Sequence, residues 1–183
     1  MHYKLFVRGE NPMKPLMLLT DTLVAIPPKI DTREVVRAII THNGLILLMY
    51  SGKDQMYGTP GGGITLNESK LDTLYRELLE EVGAKQVKII ESCGFTEEIR
   101  ESRSLQGKVL RIVSYYYQVE VKHFISANLE EHEEEMGLVP MWTNIDDAIT
   151  QNQKTLAVLN DPKLSFYYTQ TEMLKYIKSR FGL

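Results

Sequence analysis

Residues 58–84 read GTPGGGITLNESKLDTLYRELLEEVGA, and this stretch decides both the fold and the chemistry. Its first six residues hold Gly58, Gly61, Gly62, Gly63 and Pro60, a run that forms neither helix nor regular strand. Three consecutive glycines let a backbone approach a ligand closely and present amide or carbonyl groups to it. The pattern then changes. Leu71, Leu74, Tyr75, Leu78 and Val82 recur at three- and four-residue steps, which predicts an amphipathic helix over 68–83 stopped by Gly83. Two starts fit: Asn67 as a cap, or Thr65 with Glu68 as a capping box. At about 100° per residue, Glu81 lies about 40° to one side of Glu77 and Glu80 about 60° to the other. The three carboxylates therefore share one arc beside the apolar stripe, where the rim of a pocket can form.

Like charges this close repel unless something positive lies between them. Oxygen-only ligands suit hard cations, Mg²⁺ or Mn²⁺, which bridge to substrate phosphates. Arg76 is placed to hold one carboxylate in a bidentate pair. An acidic run alone reads as a solvated helix face. The same run directly after a glycine loop points to metal-assisted phosphate chemistry.

Upstream, 34–40 and 45–50 are rich in Val, Ile and Leu and flank His42-Asn43-Gly44, a hairpin signal. Pro12, Pro15, Pro27 and Pro28 make residues 1–30 short extended pieces rather than long helix. Downstream, strands are expected over 87–90, 109–121 and 138–142, a helix from Asn144, and a last helix over about 165–181 with Met173, Leu174, Ile177 and Phe181 on one face. Strands in the middle with helices between and after them predict an α/β architecture, a mixed sheet flanked by helices. With 183 residues and no Gly/Ser linker or repeat, the chain is expected to be a single domain: an N-terminal extension over 1–32, a core over 33–150 and a C-terminal helical segment over 151–183.

A net charge of −3 argues against binding large nucleic acids, which requires concentrated Lys and Arg. It leaves room for a small polyanion neutralised by a metal. The single cysteine, Cys93, fits a reducing compartment and a buried, inert side chain. The apolar stretch 16–26 is interrupted by Asp21 and too short to span a bilayer, and Pro27-Pro28 is a poor leader-cleavage site. A cytoplasmic protein without a membrane partner is expected.

Gly62, Glu68 and then Arg76-Glu77-Leu78-Leu79-Glu80-Glu81-Val82-Gly83-Ala84 resemble the complete Nudix box, and every fixed position of that pattern is filled. The resemblance extends over roughly 33–150. It implies an α/β/α sandwich and hydrolysis of a nucleoside diphosphate linked to another moiety. It also implies Glu77, Glu80 and Glu81 as metal ligands with the Gly61 carbonyl as a further one, and Arg76 and Glu68 as orienting groups. The segment after the glycines departs from the common Glu-Pro-Gly-Glu: here it is Thr65-Leu66-Asn67-Glu68, which removes one auxiliary carboxylate. The open substrates are ADP-ribose, nucleotide sugars, dinucleoside polyphosphates and (d)NTP-like compounds, oxidised ones included. A homodimer is common in the family, and residues 1–30 are a source for a swapped strand or lid.

Diphosphate cleavage needs neutralised phosphate oxygens, a positioned water and a base. A box glutamate or a carboxylate of the run Glu130–Glu135 can serve as base; Glu133 and Glu134 are preferred, and Glu134 is the one assigned to assist. His132 interrupts that run, and a lone surface histidine more often has no such role. Arg37 and Arg111 are candidates for phosphate contact. Tyr57 and the row Tyr115–Tyr117 are candidates for stacking a base, although neighbouring strand residues face opposite sides. Trp142 is expected in the core. No Ser-His-Asp arrangement or zinc-type spacing is present. Two other classes stand against the hydrolase: a non-catalytic nucleotide sensor on the same fold, and an isoprenoid diphosphate isomerase, which would require a catalytic cysteine that Cys93 does not supply.

Overall fold

The computed structural model describes residues 13–20, 29–102, 108–158 and 165–183. The extended reading of 1–12 and 21–28 lies outside these residues, as does the side chain of His132. In chain order the elements are β1 (Pro15–Thr20), β2 (Asp31–Ile39), β3 (Thr41–His42), β4 (Leu45–Ser51), β5 (Met56–Gly58), α1 (Lys70–Val82), β6 (Ala84–Glu101), β7 (Val109–Phe124), α2 (Glu131–Glu135), β8 (Leu138–Thr143), α3 (Ile145–Val158) and α4 (Ser165–Phe181).

The apolar runs of β2, β4 and β7 are buried on both faces, which explains why they read as nearly continuous rather than alternating. Val36, Ala38, Leu47, Met49, Tyr117 and Val119 face α1 through Leu74, Leu78 and Val82. The intervening residues Ile39, Ile46, Leu48 and Tyr116 face Ile145, Ala148 and Ile149 of α3 and Met173, Leu174 and Ile177 of α4. The result is an α/β/α sandwich. Each fully buried Leu or Ile contributes about 1.5–3 kcal/mol, so the two cores clamp the strands from both sides.

The sheet is split rather than single. One four-stranded sheet has the order β1-β6-β7-β2, and a second has β3-β4-β5 with β8 on the other edge of β4. In the first, β1 runs parallel to β6 and β2 parallel to β7, while β6 and β7 form a long antiparallel ribbon. The predicted hairpin is present, with Thr41 opposite Ile46 and both Asn43 and Gly44 at positive φ. Part of the N-terminal extension, β1, adds to the edge of the chain's own sheet.

Three expectations change. Helix α1 begins later than expected: Ser69 is its cap and forms a capping box with Asp72, not Asn67 and not Thr65 with Glu68. A serine hydroxyl accepts from the third helical N–H, and Asp72 returns the bond to the Ser69 backbone, whereas Glu68 is drawn away to Arg76. The buried face of α1 is also rotated. Leu71 and Tyr75 are exposed, while Thr73, Glu77 and Glu81 join Leu74, Leu78 and Val82 inside. Trp142 is not in the core but 39% exposed, because β8 is an edge strand with its outer residues uncovered among the described residues. No described helix is long and apolar enough to cross a membrane.

Candidate active site

The glycine loop runs antiparallel along β2 and is tied to it by three main-chain bonds: Ala38 N to Pro60 O, Val36 N to Gly62 O and Ile64 N to Glu34 O. Gly61 sits at φ +126, and a Cβ there would lie 2.2 Å from the Val36 carbonyl oxygen. At Gly62 the obstruction would be Glu77, whose Oε1 would lie 2.3 Å from an added Cβ. The glycines thus serve two close approaches, one to β2 and one to a carboxylate of α1.

Glu81 reaches beneath the loop and its Oε2 accepts the Gly61 N–H at 2.5 Å. It is 5% exposed, and burial pushes its carboxyl up to about 8, with the Glu133 and Glu77 charges adding to the rise and Arg37 and the Gly61 N–H opposing it. Burial likewise lifts Glu77 above its ordinary value, against the pull of Arg76. Glu133 of α2 closes the group: one carboxylate oxygen each from Glu77, Glu81 and Glu133 lies within 4.8 Å of the others. Its other anchor is the Glu130 N–H, which donates to Glu133 Oε2 at 2.8 Å. Three buried carboxylates facing one another, with Glu77 and Glu81 raised by burial, are a donor set that fits a hard divalent cation.

Arg76 organises a second set. Its Nε and Nη2 grip Glu68 at 2.8 and 3.0 Å, and its Nη1 donates to Glu77 at 2.8 Å and Glu80 at 3.0 Å. This bidentate hold pulls Glu68 far below the usual carboxylate range and raises Arg76 itself. Glu80, expected as a third ligand, is outside the buried trio. It stands about 100° around the helix from Glu81 and is paired to Arg76 at the rim.

These groups lie in a cleft of about 480 Å³. Its lining includes Glu77, Glu81 and Glu133 with Gly61–Gly63, Arg76 and Arg33, and also the apolar Met136 and Leu138 and, from the first turn of α4, Phe166. Arg37 links the glycine loop to the first turn of α4. Its Nη1 donates to Thr59 O at 3.0 Å and to the Gly61 carbonyl, and its guanidinium lies 5.6 Å from the Phe166 ring centre. Its buried Nε–H has no partner among the described residues. The Gly61 carbonyl, expected from the resemblance as a metal ligand, is thus engaged by Arg37 here.

Six sequence candidates lie elsewhere. Tyr57 packs on Tyr50 at 4.8 Å and not into the cleft, because its β5 neighbours Met56 and Gly58 take the cleft side. Arg111 is paired across the ribbon to Glu97 at 2.5 Å, away from the cleft. Glu134 is exposed: the buried member of its helix is Glu133, since one residue along a helix turns a side chain by about 100°. Tyr115, Tyr116 and Tyr117 do not line the cleft, and Tyr116 and Tyr117 belong to the two cores. Arg33 and Phe166 are cleft residues that the sequence reading does not single out. Arg33 has a signal, since it shares the strand face of Arg37 at an even spacing; Phe166 has none, lying on a helix outside the resemblance.

A model of the NUDIX domain matches residues 31–165. Among solved structures, a NUDIX hydrolase from Nitrosomonas europaea is similar at 19% identity, over 78% of this chain and 90% of that one, with a TM-score of 0.51. A MutT NUDIX hydrolase from Burkholderia pseudomallei aligns at 19% identity over 63% and 85%, TM-score 0.43. An ADP-ribose pyrophosphatase from Streptococcus suis aligns at 20% over 63% and 75%, TM-score 0.41. No curated protein matches the sequence significantly. The matched residues run from the start of β2 to the start of α4 and take in the glycine loop, α1 and the acidic helix α2, and on that match the chain belongs to the NUDIX family.

Proposed function

We propose that this enzyme hydrolyses a diphosphate bond in a nucleoside diphosphate derivative or nucleoside triphosphate, with Mg²⁺ or Mn²⁺ held by Glu77, Glu81 and Glu133. The observation that carries this reading is the trio of buried carboxylates, mutually within 4.8 Å, beneath a glycine loop in an open cleft. A divalent cation bound there supplies charge neutralisation at the phosphate oxygens and acidifies a water. The residues of the chain do the rest. Arg33 and Arg37 face the cleft as cations for the second phosphate. Arg76 holds Glu77 in its rotamer while Glu68 holds Arg76, so the acidic group is set before substrate arrives. In this proposal α2 contributes Glu133, as a ligand of the cation, in place of the exposed Glu134.

The apolar residues of the cleft lining support a nucleoside as the larger moiety. Met136, Leu138 and Phe166 are half-buried lining residues, and Phe166 offers one aromatic ring for a planar base; Arg37 contacts both that ring and the Gly61 carbonyl of the loop above the acids, where a diphosphate would lie. The test is a phosphate- or mononucleotide-release assay with Mg²⁺ over ADP-ribose, nucleotide sugars, dinucleoside polyphosphates and nucleoside triphosphates, with Glu81→Gln in parallel. Turnover that falls about 10³-fold or more in the variant is the expected result. Tight binding of one compound with no turnover of any would replace the hydrolase with a nucleotide sensor.

A further inference from the structure

The short strand β5 leads into the glycine loop, and it is an edge strand: β4 lies on one side, and among the described residues no strand pairs with the other. The main-chain groups of that free edge lie under α3 and α4, and amides withdrawn from water require partners. Two side-chain amides from these distant helices supply them. Asn152 of α3 accepts the Tyr57 N–H at 2.7 Å through Oδ1 and donates to Tyr57 O at 2.9 Å through Nδ2. Gln170 of α4 accepts both the Thr59 N–H at 3.1 Å and the Thr59 hydroxyl at 3.0 Å through Oε1, and its Nε2 donates to the Tyr116 hydroxyl at 3.4 Å. Asn152 is 0% exposed and Gln170 2%. Together they take the place of a neighbouring strand at alternate residues.

Directly beyond Thr59 the chain enters the site itself. The Thr59 carbonyl accepts Arg37, and two residues on Gly61 donates to Glu81 and accepts Arg37. A shift of Thr59 is therefore passed within two residues to a buried carboxylate and a cation of the cleft. We propose that Gln170 is a positioning residue for the active site: by fixing Thr59 from the C-terminal helix, it sets the distance between the glycine loop and Glu81. This rests on the metal-hydrolase reading only for its consequence at the cation, not for the brace.

The test uses Gln170→Met, which keeps the side-chain length and removes both the acceptor and the donor of the amide, read by amide hydrogen exchange and by Mn²⁺ titration of the full chain followed by electron paramagnetic resonance. The expected result is faster exchange confined to residues 59–63, with β6 and β7 unchanged, and Mn²⁺ affinity about tenfold weaker, as for loss of a group that orients ligands. Unchanged exchange at 59–63, or a uniform rise over the whole chain, overturns the proposal. Should Gln170→Met fail to fold, Thr59→Val removes one of the two bonds with α4 intact; a smaller change in the same segment is then expected, and its absence overturns the brace equally. If the wild-type chain binds no Mn²⁺ at all, the metal reading falls while the exchange arm still decides the role of Gln170.

Discussion

Helix α1 serves two sets of carboxylates, and they differ in how their charge is compensated. Glu68 and Glu80 stand at the rim, compensated by Arg76, and Glu68 is held far below the usual carboxylate range. Glu81 and its neighbour Glu133 lie under the glycine loop with no Arg or Lys ion-paired to them among the described residues, and Glu81 is pushed up to about 8. Glu77 touches both sets, bonded to Arg76 on one side and facing Glu81 on the other. The difference teaches which acidic residues build the scaffold and which await a cation: a carboxylate that already has an arginine gains little from a metal, whereas one buried among its like gains much.

The sharpest break of this contrast is Glu133→Gln. If Glu133 belongs to the uncompensated set, its loss lowers kcat about 10²-fold and weakens Mn²⁺ about tenfold. Steady-state kinetics with a Mn²⁺ titration reads both, and near-normal values would return α2 to a solvated loop. Next comes the pH dependence of the metal-free protein. Between the ordinary value of 4.5 and about 8, folded Glu81 keeps a proton that the unfolded chain has released. Its contribution to stability is full below about pH 4.5, declines as pH rises through that window, and is gone above about pH 8. Urea denaturation in EDTA should show the decline, and saturating Mg²⁺ should remove it, since metal binds the ionised form.

Within the compensated set the effects are smaller. Arg76→Lys keeps the charge but loses the two-point grip on Glu68; kcat is expected to fall about tenfold, and the melting temperature by about 2–4 °C. A calorimetric scan beside the kinetics separates the two. Smallest of all is Glu134→Gln, one residue from Glu133 and exposed, with activity within about twofold of wild type. A large loss there would exchange the roles of the two neighbours.

The loop, α1 and the layer architecture are legible in the sequence because each rests on local spacing: glycines in a row, a 3.6-residue stripe, strands of β-branched residues. The phase of α2 is not. A five-residue helix with acids at four positions offers no stripe from which to tell Glu133 from Glu134. Tyr57 and Arg111 mislead for a related reason, since a strand buried on both faces gives no sign of which face meets the cleft. Trp142 misleads because large aromatic residues suggest a core, and nothing in its neighbours reveals an edge strand. Asn152 and Gln170 are invisible as well: a buried amide and a solvated one look alike until the edge they complete is known.

The bonds that complete β5 join residues 95 and 111 positions apart in the chain. Contacts of such separation form late, because closing the intervening loop costs entropy before any contact repays it. During synthesis the glycine loop therefore emerges long before the helices that secure it, and β2, β4 and α1 can associate while Thr59 is still unheld. With Gln170 as the brace, the loop takes its final spacing from Glu81 when α4 docks rather than when the box helix forms.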